Sequence, residues 1–313
     1  MDAQAVKAKA RELGADLVGV TDTARLNLHP PDPRWPQTPE RIWSECQSII
    51  VIARRIPAGF FRSQDLSTKL YTAQLVMNSL DRIALELSYF IEESGFLAFP
   101  AAQNYTDPKL KKATYGPLSL RHLAVEAGIG TLGLNLNLLT PDFGPRVYLR
   151  AILTDISLES DRMLNKQLCR GPKCGRCLLA CPADAIGHWE LDKRRCSTQA
   201  QRYGAASLIR HIHRIMDAKT VEEAKELVRS TEFVSYWQAL RTGAGAYGGC
   251  YRCMEVCPVG NDYSRYLRDV HARIPEITDE KIEKLRKMIS AENNGLEIAG
   301  FNRSFRWILG KDI

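Results

Sequence analysis

Eight of the chain's nine cysteines lie between residues 169 and 257, and their spacing limits what the chain can fold around. The first run is Cys169-x4-Cys174-x2-Cys177-x3-Cys181-Pro182. The second is Cys250-x2-Cys253-x3-Cys257-Pro258, and Cys196 stands between them. The N-terminus, MDAQAVKAKARELGADLVGV, has neither the uninterrupted apolar stretch of a secretory signal nor the Arg-Arg pair of a twin-arginine signal, so the expected location is the cytoplasm. In a cytosolic chain, clustered cysteines read as metal ligands rather than disulfides. The ninth, Cys46, sits after a tryptophan in an apolar stretch and reads as a buried thiol.

Bacterial ferredoxins use C-x2-C-x2-C-x3-C-P, in which three cysteines hold one cubane and the fourth, before proline, ligates its neighbour. Short spacings let one loop wrap three corners of a cube, and the proline fixes the backbone where it turns away. By analogy with that crossed wiring, one 4Fe-4S cluster takes Cys169, Cys174, Cys177 and Cys257. The other takes Cys181, Cys196, Cys250 and Cys253. Here the first gap is longer, and the second run lacks a cysteine that Cys196 must supply. Structural zinc is the alternative for C-x2-C pairs, but zinc runs lack the Cys-Pro ending that this chain carries twice.

With 313 residues, 45% of them hydrophobic and 25% charged, the chain can bury a sizeable core, and wholesale disorder is excluded. No apolar stretch reaches the length of a membrane span. The net charge of +7 fits a solvated surface with a slight Lys/Arg excess and is compatible with an anionic partner such as nucleic acid. Apolar spacing predicts helices over 3–13, 68–94 and 119–127, and strands over 16–20, 48–53, 96–99 and 146–154. Four prolines make 29–38 a loop. This alternation indicates an α/β layer over roughly the first 160 residues. Helical spacing returns at 205–240, with a capping box at Thr220 and Glu223, and a last helix follows Thr278, supported by Glu280–Lys284 and Glu283–Lys287 spacing. Gly128, Gly130 and Gly133 match G-x-G-x-x-G. The motif follows a helix instead of a strand, so it reads as a turn that brings backbone close to a ligand or another element.

Taken in order, Gly128-Ile-Gly-Thr-Leu-Gly133, Leu138-Leu-Thr-Pro-Asp-Phe-Gly-Pro-Arg-Val147, Leu153-Thr-Asp155 and the two cysteine runs resemble the epoxyqueuosine reductase and reductive dehalogenase superfamily. The resemblance covers nearly the whole chain, as a short member without the helical-repeat domain that grips transfer RNA. It implies an α/β, nitroreductase-like catalytic domain over 1–160 that binds base-off cobalamin. A bacterial ferredoxin-like domain with two 4Fe-4S clusters follows over 161–272, with a helical insert at 200–245, and a helical tail runs over 273–313. Electrons would pass from a low-potential donor such as ferredoxin or flavodoxin through the clusters to cobalt. The reduced metal would then act on an epoxide or carbon–halogen bond of a small-molecule or tRNA-borne substrate. Gly128, Gly130, Gly133, Asn135, Gly144 and Arg146 are the residues the resemblance assigns to the corrinoid.

The departures from the family are specific. Leu134 follows Gly133 where epoxyqueuosine reductases carry lysine, and Lys111–Pro117 holds no carboxylate where they carry aspartate. The Thr-Pro-Asp-Phe-Gly-Pro-Arg stretch is closer to the dehalogenase branch, which uses a tyrosine as proton donor aided by a basic residue. Tyr115 and Tyr105 are the candidates, with Arg121, Lys112 or His122 nearby. The D-x-H-x-x-G corrinoid motif is absent, as Ile274 stands where its glycine would be; base-off members do not need it. Two other readings predict different behaviour. An electron-transfer protein or reductive activator would hold clusters but no corrinoid, and an RNA-binding module would show salt-sensitive affinity without turnover.

Overall fold

The computed structural model describes residues 1–102, 105–112, 115–242 and 248–295, with the side chains of Asp262 and Ser264 set aside. A four-stranded sheet organises the N-terminal half. Its strands are β1 (Leu17–Asp22), β2 (Ser48–Arg55), β3 (Ala98–Pro100) and β6 (Val147–Thr154), in the order β1-β2-β6-β3. A two-stranded ribbon of β4 (Thr131–Leu132) and β5 (Leu138–Leu139) lies beside it. Every neighbouring pair is antiparallel, with Val20 opposite Ile50 and Ile50 opposite Ile152.

The β-branched run at 48–53 forms the core of β2, where residues 49–53 are fully buried. An antiparallel strand commonly leaves one face wet; this one does not, because both faces are covered. Ile50 and Ile52 point to α1 (Ala3–Glu12) and α4 (Leu66–Glu92), meeting Val6, Ala10, Leu80, Ile83 and Leu87. Ile49, Val51 and Ala53 point the other way, to α5 (Leu120–Glu126) and the cysteine-bearing half. Side-chain alternation along the strand thus assigns each residue to one of two layers. The apolar period of α4 is the clearest in the sequence, and the helix starts where the Asp65 carboxylate accepts from the Thr68 N–H. Cys46 is buried, as read, and burial pushes its thiol up to about 11.

Two short helices, α2 (Ala24–Leu28) and α3 (Ala58–Arg62), lie between these elements. Beyond residue 160 the packing continues without a break. The layer holding Ile49 and Val51 also contains Leu178, Cys181, Tyr251 and Met288. The cysteine half carries α6 (Arg176–Leu179), α7 (Lys193–Ala200) and α11 (Arg252–Glu255). Between α7 and α11 stand α8 (Ala205–Met216), α9 (Val221–Val228) and α10 (Thr231–Thr242). Helices α12 (Asn261–Ala272) and α13 (Asp279–Asn293) follow. Thr220 caps α9, while the Glu223 carboxylate reaches back to the Lys219 N–H. On α13 the Glu283–Lys287 pair forms at 3.9 Å, but Lys284 turns from Glu280 to Asp184 at 2.9 Å. A tertiary partner outcompetes a weak helical pair. The tail from residue 296 onward, assigned above to a helical segment, lies outside the described residues.

Candidate iron-sulfur and substrate site

The fold gathers the eight cysteines into two sets. Cys169, Cys174, Cys177 and Cys257 are mutual electrostatic neighbours, every pair among them interacting. So are Cys181, Cys196, Cys250 and Cys253. The sets touch through Cys177 and Cys253. Burial raises the thiols of Cys169, Cys177, Cys196 and Cys250, and pushes Cys253 to about 12 and Cys257 to about 11. Among the described residues no three His, Cys, Asp or Glu side chains converge closely enough to hold a single metal ion.

Backbone amides line the sulfurs. Leu134 N–H donates to Cys169 Sγ at 3.4 Å and Gly171 N–H at 3.3 Å, while Ala185 N–H donates to Cys181 Sγ at 3.3 Å. Asn137 Nδ2 reaches Cys253 Sγ at 3.6 Å. Amides aimed at sulfur favour its thiolate form and tune a bound cluster. The Gln167 side chain anchors Cys169: its Oε1 accepts from Cys169 N–H at 2.9 Å and its Nε2 donates to Leu132 O at 3.1 Å.

The residues assigned to the corrinoid lie in close backbone packing. A Cβ at Gly130 would meet Leu139 O at 2.1 Å. Gly144 has φ +57°, and a Cβ there would lie 2.0 Å from Val259 O. Gly128 backs onto Arg162 O, and Gly133 onto Leu139 and Asn135. Asn135 is buried and hydrogen bonds Cys253. Arg146 is fully buried; its Nη1 and Nη2 donate to backbone carbonyls and His271, while its buried Nε has no partner among the described residues. These residues build close backbone packing near the cysteines. A cavity of about 830 Å³ opens between α4 and α12, lined by Arg54, Arg55, Arg265 and Tyr263 among others, and none of the nine expected catalytic or corrinoid residues lines it.

The catalytic candidates divide. Tyr105 is exposed at the surface. Tyr115 is partly buried and faces Arg121, which in turn faces Cys196. Two residues absent from the expected set complete the group. Lys193 Nζ stands 4.0 Å over the Tyr115 ring, and the Trp35 ring packs against it at 5.7 Å. Lys112 Nζ and the Arg34 guanidinium lie over Trp35 at 4.3 and 4.6 Å. Asp32 holds Arg34 in a bidentate pair at 2.9 and 2.8 Å and hydrogen bonds Tyr115. Desolvation, with Arg121 and Lys112 nearby, lowers Lys193 to about 8, while burial first and then Asp32 raise Tyr115. Lys193 was hidden by distance in sequence. The signal was Cys196, because a cysteine drawn into a ligand set brings its own helix with it.

This wall combines aromatic faces with cations in excess of carboxylates. That chemistry fits a planar group bearing phosphate. His122 borders the wall and shares a 2.6 Å hydrogen bond with Ser119 Oγ. Desolvation, then Arg121 and Lys193, push its imidazole down to about 3. The unfolded chain therefore takes up a proton below pH ~6.5 that the folded chain refuses, and stability falls as pH drops from there toward 3. By pH 5 the expected cost is about 2 kcal/mol. Denaturation midpoints at pH 7 and pH 5 should converge in His122→Gln; an equal loss in that variant would remove this role.

The fold and its paired thiol sets define an α/β protein with a cysteine-rich half packed against its sheet. No protein-family model matches the chain. An epoxyqueuosine reductase of Atelocyanobacterium thalassa is 30% identical over 151 residues, covering 48% of this chain and 40% of that protein. A tetrachloroethene reductive dehalogenase of Desulfitobacterium hafniense is 31% identical over 146 residues, covering 39% of this chain and 24% of that protein. The matched stretch spans less than half the length of these relatives. A solved catabolic reductive dehalogenase superposes with a TM-score of 0.54 at 17% identity, covering 97% of this chain and 38% of that one. The chain is thus similar over part of its length to epoxyqueuosine reductases and reductive dehalogenases, and it shares the fold of a solved reductive dehalogenase. Among the described residues no helix is long and apolar enough to cross a membrane.

Proposed function

We propose that the chain is an iron-sulfur oxidoreductase that passes electrons through two 4Fe-4S clusters to a reducible substrate held against Tyr115. The observation that carries this reading is the sorting of the cysteines into two sets of mutual neighbours. Each set supplies four thiols, the number a cube with a ligand at each iron requires. The contact of Cys177 with Cys253 gives electrons a short passage between sets, and Arg121 links Cys196 to Tyr115.

A corrinoid would be held by Trp35, Tyr115 and the cations Arg34, Lys112 and Lys193, and when bound would supply a strongly reducing metal centre; one solved reductive dehalogenase of this fold is described as B12-dependent. The chain's own residues do the rest. Replacing halide by hydrogen consumes two electrons and one proton and releases the halide ion. Opening an epoxide to an alkene consumes two electrons and two protons and releases water. In this reading Tyr115 Oη gives a proton in either case, and the Lys193 ammonium over its ring supports that role by stabilising the phenolate that remains. Arg121, fixed by donating to Leu136 O, adds positive charge on the cluster side. The substrate is a small aryl halide or an epoxide, free or carried on RNA, and the donor is a low-potential ferredoxin or flavodoxin.

The test is anaerobic reconstitution with iron, sulfide and cobalamin, followed by gel filtration and metal analysis. About eight irons and one cobalt per chain are expected, since each cubane contributes four irons. Reduced methyl viologen should then be oxidised with an aryl bromide or an epoxide. Eight irons without cobalt or turnover would leave an electron carrier, and a folded protein without iron would overturn the reading.

A further inference from the structure

Each Cys-Pro ending is gripped by a buried cation. At the second, Arg146 Nη1 donates to Val259 O at 2.9 Å and Phe143 O at 3.2 Å, and Nη2 donates to Cys257 O. His271 Nε2 accepts from the same nitrogen at 3.0 Å. Tyr263 and Phe61 close over the guanidinium at 5.3 and 5.9 Å. At the first ending, the buried Lys281 ammonium donates to Cys181 O at 2.9 Å, Leu179 O at 3.0 Å and Glu276 O at 2.8 Å. Among the described residues neither cation forms an ion pair, and the carboxylate that feels Lys281, Glu276, is already paired with Arg252 at the second Cys-Pro run.

Carbonyl dipoles solvate a buried cation but do not cancel its charge, and an unbalanced buried charge is expensive. The two sites are alike in one respect: each cation holds the carbonyl of the cysteine that leaves its own run for the other ligand set. Cys257 joins the first-run thiols, and Cys181 joins Cys196, Cys250 and Cys253. A cubane with four thiolates carries net negative charge, and reduction adds one more.

We propose that Arg146 and Lys281 are the counter-ions of the two clusters, one for each, and that they hold the cluster potentials up. This rests on the two-cluster reading above. Each cluster accepts one electron from a low-potential donor, with no proton and no bond broken, and the cation favours the more negative product. Both are positioning residues, since each also pins the backbone of its crossing cysteine.

The test is potentiometric titration of the reconstituted protein with dithionite, followed by electron paramagnetic resonance, after iron has been counted. Arg146→Gln should lower one reduction wave and Lys281→Met the other. Each shift should be at least about tenfold in the one-electron equilibrium constant, about 59 mV. Arg146→Lys and Lys281→Arg keep the charge and should restore the wave. Variants that hold about eight irons with both waves unmoved would overturn the proposal. So would charge-keeping variants that shift as far as the neutral ones, which would leave the cations a purely structural role. If Arg146→Gln loses iron, the Lys281 pair of variants decides alone. A wild-type protein that never reaches eight irons would instead sink the cluster reading on which this depends.

Discussion

Replacing Tyr115 with Phe should cut turnover by at least about a hundredfold while iron content and fold stay unchanged. Positioned proton transfer is worth roughly 10²–10⁴ in rate. The hydroxyl removed is the one that Asp32 hydrogen bonds and that the Lys193 ammonium faces across the ring. Phenylalanine keeps the packing on Trp35, so the loss belongs to the proton. Lys193 gives the pH signature. Its pKa is lowered to about 8, so it is cationic below that pH and neutral above it. The cation stabilises the phenolate, so the rate should fall as pH rises through about 8, and Lys193→Met should lose that alkaline limb along with rate. Viologen oxidation against pH, with an aryl bromide or epoxide, reads both. A Phe variant within threefold of wild type would remove Tyr115 from the chemistry.

Cys196→Ala is expected to take the iron content from about eight toward about four per chain. Cys196 neighbours Cys181, Cys250 and Cys253; of the other five cysteines, Cys169, Cys174, Cys177 and Cys257 neighbour one another and Cys46 is buried with its thiol on Ser48 O. Alanine would leave one iron of that cube without a thiolate. The first set is untouched, so its signal should survive alone, without the coupling that two adjacent reduced clusters show. Iron and sulfide assays on the reconstituted variant check this. An unchanged content of eight would mean that another group supplies the corner and that the wiring inferred from ferredoxins is wrong.

The sequence disclosed local regularities and hid long-range meetings. The period of α4, the β-branched run of β2 and the cysteine spacings each lie within a few turns of chain, where the physics that sets structure is local. Lys193 reaches Tyr115 from 78 residues away, and Arg146 reaches Val259 across 113, so no window could show either. The glycine turn was legible as a close approach, but not what it approaches. Gly130 and Gly144 admit backbone carbonyls where a ligand was expected. An arginine after Gly-Pro has the look of an anion binder, and only the fold shows that its partners are carbonyls on the returning chain. Lys284 found Asp184 because α13 packs against the cysteine half, a contact invisible along the helix itself.

The helical insert has a geometry that bears on how such a chain can change. It leaves after Cys196 and returns at Cys250, and its ends meet: a Cβ on Gly249 would lie 3.3 Å from Gln199 O. Both flanking cysteines belong to one set, so the insert is a loop closed at its base. Closing such a loop costs only about 0.6 kcal/mol more for each doubling of its length. The helices between can therefore be shortened, enlarged or exchanged with little strain on the ligands. The insert is an interchangeable cassette carried on a fixed cysteine-rich base, free to diversify in what it meets while the thiols beneath it stay in register.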